Sequence, residues 1–203
     1  MKTQVRRKPP LSQLFKQKRL FLSKSEVESF SAIPEIRAHD YLAGRFILKT
    51  LFASMFNDDF KLSDVNVVIR DKKPQINFRN TIYHCSISHS KKHVACSISN
   101  LYQNGIDVEE LKPRSEELQR YIVSPNESLY FDIDEQFLTT RIWSIKEAAF
   151  KSDSDQILIT NYAICDKHND SFSVQNLQTG KIIQVINQVI DNYTISYTIP
   201  STI

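Results

Sequence analysis

Asn104-Gly105-Ile106-Asp107-Val108-Glu109 and Trp143-Ser144-Ile145-Lys146-Glu147-Ala148-Ala149-Phe150-Lys151 are the two pieces of the chain whose reading decides the fold. The first predicts a short strand leaving an Asn-Gly turn. On a strand, alternate residues share a face about 6.6 Å apart, so Asp107 and Glu109 point the same way. The second predicts a helix, on which Trp143, Glu147 and Lys151 line up at i, i+4 spacing. If strand and helix meet, three carboxylates and a lysine converge. Such a hard-oxygen set suits Mg²⁺, which leaves room for waters and substrate phosphates. Each half alone also has a plainer reading: solvated strand acids, and an ordinary Glu–Lys pair on a helix face.

Upstream of these pieces, Arg37 to Phe56 is helical in pattern. Ala43, Ile47, Leu51 and Met55 form one apolar row, with Leu48, Phe52 and Phe56 beside it. Arg37, Tyr41, Arg45 and Lys49 recur on another face, either as a solvated rim or as a phosphate-facing edge. Asn57-Asp58-Asp59 is read as the helix stop. Strands are expected at Val65–Arg70, Gln75–Phe78, Tyr83–Ser88 and His93–Ser99. Downstream of Glu109 the pattern predicts a short helix at Glu116–Ile122, a cap at Ser124-Pro125-Asn126-Glu127, and strands at Tyr162–Cys165, Ser171–Gln175, Ile182–Val189 and Tyr193–Ile199. Residues 21–36 are mixed, with Ser23, Ser25 and Pro34 marking turns or helix starts. The order is that of an α+β protein with two halves, 21–104 and 105–203, and Gly44–Phe52 loosely echoes Trp143–Lys151.

The chain has 203 residues, of which 41% are hydrophobic and 24% charged, an ordinary globular composition. No apolar run approaches the ~20 residues of a membrane span, and no secretory leader is visible. Three cysteines without CxxC spacing (Cys85, Cys96 and Cys165) argue for reduced thiols in a cytoplasmic setting. The net charge of +3 is uneven, because Lys2, Arg6, Arg7, Lys8, Lys16, Lys18 and Arg19 fall in residues 1–20, which contain no acid. That segment reads as a flexible, solvated tail; an aid to docking an acidic partner and a targeting peptide are the other readings. With only Gly44, Gly105 and Gly180, neither a Walker loop nor a GxGxxG cradle can be built. A phosphate substrate would have to be held by metal, cations and hydroxyls.

The two opening pieces fit G-[IV]-D-[VIL]-E followed by W-[ST]-x-K-E-[AS]-x-x-K, and so the chain resembles the 4′-phosphopantetheinyl transferases. Lys73-Pro74, Ser86-Ile87-Ser88-His89-Ser90 and Ala38-His39-Asp40-Tyr41-Leu42-Ala43-Gly44-Arg45 are similar to further family motifs, in order, from about residue 37 to 151. Length and layout resemble the single-chain, surfactin-synthetase-activating type. That resemblance implies two pseudo-symmetric lobes, each a long helix on a small, mostly antiparallel sheet, in a monomer. It implies transfer of 4′-phosphopantetheine from coenzyme A to a serine of an apo acyl or peptidyl carrier protein. Asp107, Glu109 and Glu147 would ligate Mg²⁺, and Lys151 would contact the diphosphate. Glu147, or a water near Glu109, would take the serine proton. Ser88 and His89 would bind phosphate, Lys73 and Pro74 would border the adenine, and Leu118, Tyr121 and Ile122 would meet the carrier protein. The chain departs from the pattern at Ser86, at Asp40 where a cation is common, at Glu26 and Glu28 where basic residues hold the 3′-phosphate, and at Ser152-Asp153-Ser154-Asp155 after Lys151. Arg37 or Arg45 would compensate for the missing cations.

Rival readings are weaker on chemistry. A zinc site from His84, Cys85, His89, His93 and Cys96 has no established ligand spacing. A serine hydrolase around Ser88, Ser90 and His89 has no G-x-S-x-G elbow. Nucleic-acid binding would rest on the basic tail alone. A non-catalytic relative that binds coenzyme A or a carrier protein is the alternative from another class.

Overall fold

The computed structural model describes residues 1–56, 59–132, 137–155 and 158–200, so Asn57 and Asp58 of the expected helix stop lie outside the described residues. The chain divides into two compact units, Met1–Tyr102 and Gln103–Ile203. The first contains β1 (Lys2–Arg7), α1 (Leu11–Phe21), α2 (Lys24–Phe30), α3 (Glu35–Ala53), β2 (Val67–Arg70), β3 (Lys73–Phe78), β4 (Thr81–His89) and β5 (His93–Ser99). The second contains β6 (Ile106–Glu110), α4 (Glu116–Ile122), α5 (Leu138–Ser152), β7 (Tyr162–His168), β8 (Ser171–Asn176), β9 (Ile182–Ile190) and β10 (Tyr193–Ile199). Strand order is β1-β5-β4-β3-β2 in one sheet and β6-β10-β9-β8-β7 in the other, antiparallel throughout. Each unit is therefore the same plan: a strand, helices, then a four-stranded meander whose last strand pairs with the first. The fold is α+β with a long helix on a sheet in each unit, as the sequence predicts.

The apolar periodicity of α3 becomes the floor of the first core. Leu42, Ala43, Ile47, Leu48, Leu51 and Phe52 are buried, and Phe52 meets Phe56, Phe78 and Tyr83 at ring-centroid distances of 5.0, 5.2 and 5.0 Å. In the second unit Ile142, Ile145, Ala148 and Ala149 of α5 pack with Tyr162, Phe172, Val174 and Val185 of the meander. Burying each large apolar side chain contributes roughly 1.5–3 kcal/mol.

Three expectations change. Residues 1–20 are not a solvated tail. β1 pairs along β5, with Thr3 opposite Ser97, and α1 buries Leu14 and Phe21 to 1% exposure. Strand pairing uses backbone groups to which the cationic side chains are indifferent, and Lys and Arg on an edge strand are a common guard against stray pairing. Residues 21–36, read as mixed, contain a whole helix, α2, although its start at Ser23 and that of α3 at Pro34 are among the expected ones; Ser23 and Glu26 form a reciprocal capping box there.

The third change concerns the row Arg37, Tyr41, Arg45 and Lys49, which is not one face of one character. Arg37 is exposed, whereas Lys49 is fully buried and Arg45 nearly so. Both are ion-paired with buried Glu26, Arg45 at 3.1 Å, and Lys49 also donates to the Phe21 carbonyl at 2.7 Å. Neither a solvated rim nor a phosphate edge describes them.

The second unit repeats this clamp. Lys146 of α5 donates to the Ile122 carbonyl at 2.6 Å and pairs with Glu127 at 2.8 Å. Glu127 accepts from the Ser124 N–H at 2.7 Å, as Glu26 accepts from the Ser23 N–H at 2.8 Å. Burial lowers the pKa of both lysines, against the pull of their glutamates. Lys49 thus corresponds to Lys146, which shifts the echo between the two helices by two residues from the one the sequence suggested.

Candidate functional site

β6 and α5 are brought together by the absence of a side chain. A Cβ on Gly105 would lie 1.9 Å from the Ala148 carbonyl oxygen and 2.9 Å from Ser152 N. Neither Asn104 nor Gly105 has a positive φ, so the expected Asn-Gly hairpin turn is absent. The glycine serves close approach of strand to helix instead. The backbone of Gly105 is fixed from the far side, donating to Thr198 Oγ1 at 2.9 Å and accepting from Thr198 N at 3.0 Å. Small residues continue the contact: Ser144 on α5 donates to Ser196 Oγ on β10 at 2.9 Å, and Asp107 stands opposite Ser196 in the β6–β10 ladder.

With α5 this close, Lys151 reaches the strand. Its Nζ lies 2.8 Å from Asp107 Oδ1, 3.2 Å from the Ile106 carbonyl and 3.6 Å from Glu147 Oε2. Asp107 is 3% exposed. Glu109 is held by Arg114, whose Nη2 is 2.7 Å from Glu109 Oε2. Arg114 Nε donates to Thr140 Oγ1 at 3.1 Å, while the Thr140 hydroxyl donates to the Lys112 carbonyl at 2.9 Å.

Lys151 thus joins Asp107 and Glu147, whereas Glu109 is engaged by Arg114, a partner that the sequence reading missed, and is linked to Asp107 and Lys151 only through their charges. Burial first, and then the charge of Asp107, push the Glu109 carboxyl above the usual range. Burial likewise raises Glu147; Lys151 opposes the shift, and Asp107 adds to it. Burial would lower Lys151, but the charges of Asp107, Glu147 and Glu109 outweigh it and hold its pKa above the ordinary lysine value.

The donor chemistry fits a hard divalent cation: three carboxylates face the two positive charges of Lys151 and Arg114, which leaves a net negative cluster. The present side-chain arrangement is an ion-paired one. Among the described residues no three His, Cys, Asp or Glu side chains gather as a metal-holding group, and the zinc alternative has no such group either.

The same scaffold in the first unit has no such acids. In the pairing of first to last strand, Gln4 lies opposite Cys96 as Asp107 lies opposite Ser196, and Arg6 lies opposite Val94 as Glu109 lies opposite Thr194. With Lys49 matched to Lys146, Thr50 occupies the position of Glu147.

The remaining expected residues lie in the first unit. Lys73 and Pro74 open β3, and Ser88 and His89 close β4, with Ser88 buried and His89 partly so. His89 explains Gly44: a Cβ there would meet the imidazole Cε1 at 2.9 Å and Ile87 Cγ2 at 3.3 Å. Asp40 pairs with Lys8 at 2.6 Å. Burial opposes its ionisation, but that bond and the nearby charge of His89 lower its pKa. The segment read as a tail thus supplies the cation beside Asp40.

Among the carrier-contact expectations, Tyr121 is 59% exposed, Leu118 packs partly against the core, and Ile122 is 1% exposed. Ile122 is a core residue, turned inward because the last turn of α4 must seat against α5.

Beyond Lys151, Asp153 ends α5 as a buried node. It accepts from Tyr162 Oη at 2.9 Å, Asn176 Nδ2 at 2.7 Å and Lys181 Nζ at 2.9 Å. Among the described residues no helix is long and apolar enough to cross a membrane.

No curated protein matches the chain. The family model described as the 4′-phosphopantetheinyl transferase superfamily matches residues 103–198, just under half of the chain. The second unit, from the approach to β6 to the end of β10, is thus similar to that superfamily, and the Asp107–Glu147–Lys151 cluster lies inside the matched span.

Proposed function

We propose that the protein is a 4′-phosphopantetheinyl transferase of the two-lobed, single-chain type, acting in the cytoplasm on coenzyme A and an apo carrier protein. The observation that carries this reading is the coincidence of the family match at 103–198 with the convergence of Lys151, Asp107 and Glu147 across the β6–α5 contact. The repeated plan of the two units supports the two-lobed type.

In this reading the carrier serine hydroxyl attacks the β-phosphorus of the coenzyme A diphosphate. The bond from that phosphorus to the bridging oxygen breaks, and 3′,5′-ADP leaves with the electron pair. Positioning and charge neutralisation dominate such transfers. Lys151, steadied by Asp107 and Glu147, presents a fixed positive charge to the diphosphate oxygens. Asp107, Glu109 and Glu147 are the residues that would hold Mg²⁺, which when bound supplies charge neutralisation of the diphosphate. The serine proton goes to Glu147 or to a water beside Glu109. Lys73 and Pro74 are assigned to the adenine, and Ser88 and His89 to phosphate. Arg37, exposed at the start of α3, stays a candidate phosphate contact, whereas Arg45 is committed to Glu26.

The test is to incubate the protein with coenzyme A, Mg²⁺ and a panel of apo carrier proteins and to weigh the carriers by mass spectrometry. One phosphopantetheine added per carrier is expected, and none with Asp107→Ala or Glu147→Ala. Coenzyme A binding without mass gain on any carrier would favour a binding-only relative.

A further inference from the structure

We propose that Arg114 is a built-in competitor for the divalent cation: its guanidinium occupies Glu109 and yields that carboxylate when the cation is taken up. The inference rests on the reading of Asp107, Glu109 and Glu147 as cation ligands.

Arg114 is not a loose surface charge. Its side chain is 20% exposed and its guanidinium donates twice, from Nη2 to Glu109 Oε2 at 2.7 Å and from Nε to Thr140 Oγ1 at 3.1 Å. The Thr140 hydroxyl gives its proton to the Lys112 carbonyl at 2.9 Å, which leaves its lone pairs for the arginine. Pro113 precedes Arg114, and Ser115 follows it as the N-cap of α4, so the backbone that aims the guanidinium is fixed on both sides.

The charge count gives the arrangement its sense. Three carboxylates are balanced by Lys151 and one divalent ion, and in that state the Arg114 charge is surplus and is repelled by the ion. Without the ion, Arg114 and Lys151 together neutralise all but one of the carboxylates. Glu109, engaged by Arg114, is the acid withheld from its two neighbours, and no three-acid group is gathered among the described residues. Arg114 would thereby keep a half-buried set of acids from standing uncompensated, at the expense of cation affinity.

Mn²⁺ binding to the full chain, followed by electron paramagnetic resonance of the free ion, tests this without any turnover. Arg114→Gln and Arg114→Ala are expected to bind Mn²⁺ about tenfold more tightly than the unsubstituted chain, the factor equivalent to about 1.4 kcal/mol. Arg114→Lys, which keeps the charge, stays within about threefold of it. Unchanged or weakened binding in both Arg114→Gln and Arg114→Ala overturns the proposal. Asp107→Asn separates the two layers. If it abolishes binding while the Arg114 variants match the parent, only the competitor role falls. If it leaves binding intact, or if no form binds, the cation reading falls as well.

Discussion

Gly105→Ala is the smallest change that should pull the candidate site apart. The added Cβ would sit 1.9 Å from the Ala148 carbonyl oxygen, whereas ordinary contact begins at 3.4 Å. Both neighbours are backbone, so no rotamer change relieves the clash. Strand and helix must separate locally by about 1.5 Å, against the Thr198 hydrogen bonds on one side and the α5 core on the other.

Overpacking in a tight core costs typically 1–3 kcal/mol, and a backbone-on-backbone clash belongs at the upper end, about 3 kcal/mol. For a chain of this length that is a fall in Tm of roughly 6–12 °C. The same displacement moves Glu147 and Lys151 away from Asp107. Misplacing reacting groups by about 1 Å can cost on the order of 100-fold in rate, so transfer to a carrier should fall by that factor even where the protein is folded. Differential scanning fluorimetry gives the first number, and carrier mass spectrometry at a temperature well below the variant's Tm gives the second. A Gly105→Ala protein with parental Tm and parental turnover would show that β6 and α5 are not in contact as described.

Two further predictions concern groups outside the chemistry. Lys146→Met leaves Glu127 buried without its cation and should destabilise by about 3–5 kcal/mol in urea unfolding, with substantial recovery in the Lys146→Met/Glu127→Gln pair. A loss below about 0.5 kcal/mol would show that the clamp is idle. Asp153→Asn should cost roughly 1.5–3 kcal/mol at neutral pH, the scale of hydrogen bonds to a charged group. In the native state, bonds from Asn176, Lys181 and Tyr162 outweigh burial and depress the Asp153 pKa below 3.8. The stabilisation is therefore whole above that value and is lost as pH falls through the depressed native one. Unfolding followed from neutral to acid pH should show the gap to the parent closing in the acid limb; a gap constant with pH would contradict it.

Periodicity made most of the architecture legible. Helix α4 and the four meander strands of the second unit fall where alternation and turn chemistry put them, because each half-buried strand prints its period on the sequence. Strand and helix spacing put Asp107 beside Glu109 and Glu147 beside Lys151, but joining the two pairs needed the family resemblance, because nothing in either period says that the strand and the helix meet. The missed features have different physical causes. β1 pairs through backbone while its side chains are cationic, so charge counting hid it. Arg45 and Lys49 looked like surface residues because their partner, Glu26, lies on another helix and leaves no mark on their own spacing. Gly105 resembled turn chemistry, yet its reason lies in the Ala148 backbone, remote in sequence. Arg114 sits in a Pro-broken loop with no period at all, and only the fold shows that it lies on Glu109.

The pairing of the first strand with the last also constrains how the protein can be made. As the chain leaves the ribosome, residues 2–7 have no hydrogen-bonding mate until residues 93–98 follow, and contacts so far apart in sequence form slowly. The amino-terminal unit must wait for nearly its whole length to be synthesised before its sheet can close, and the carboxy-terminal unit repeats the delay with Ile106–Glu110 and Tyr193–Tyr197. Translation pauses placed before either closing strand would lengthen the life of an open, sticky edge, and that window is where chaperone capture should concentrate.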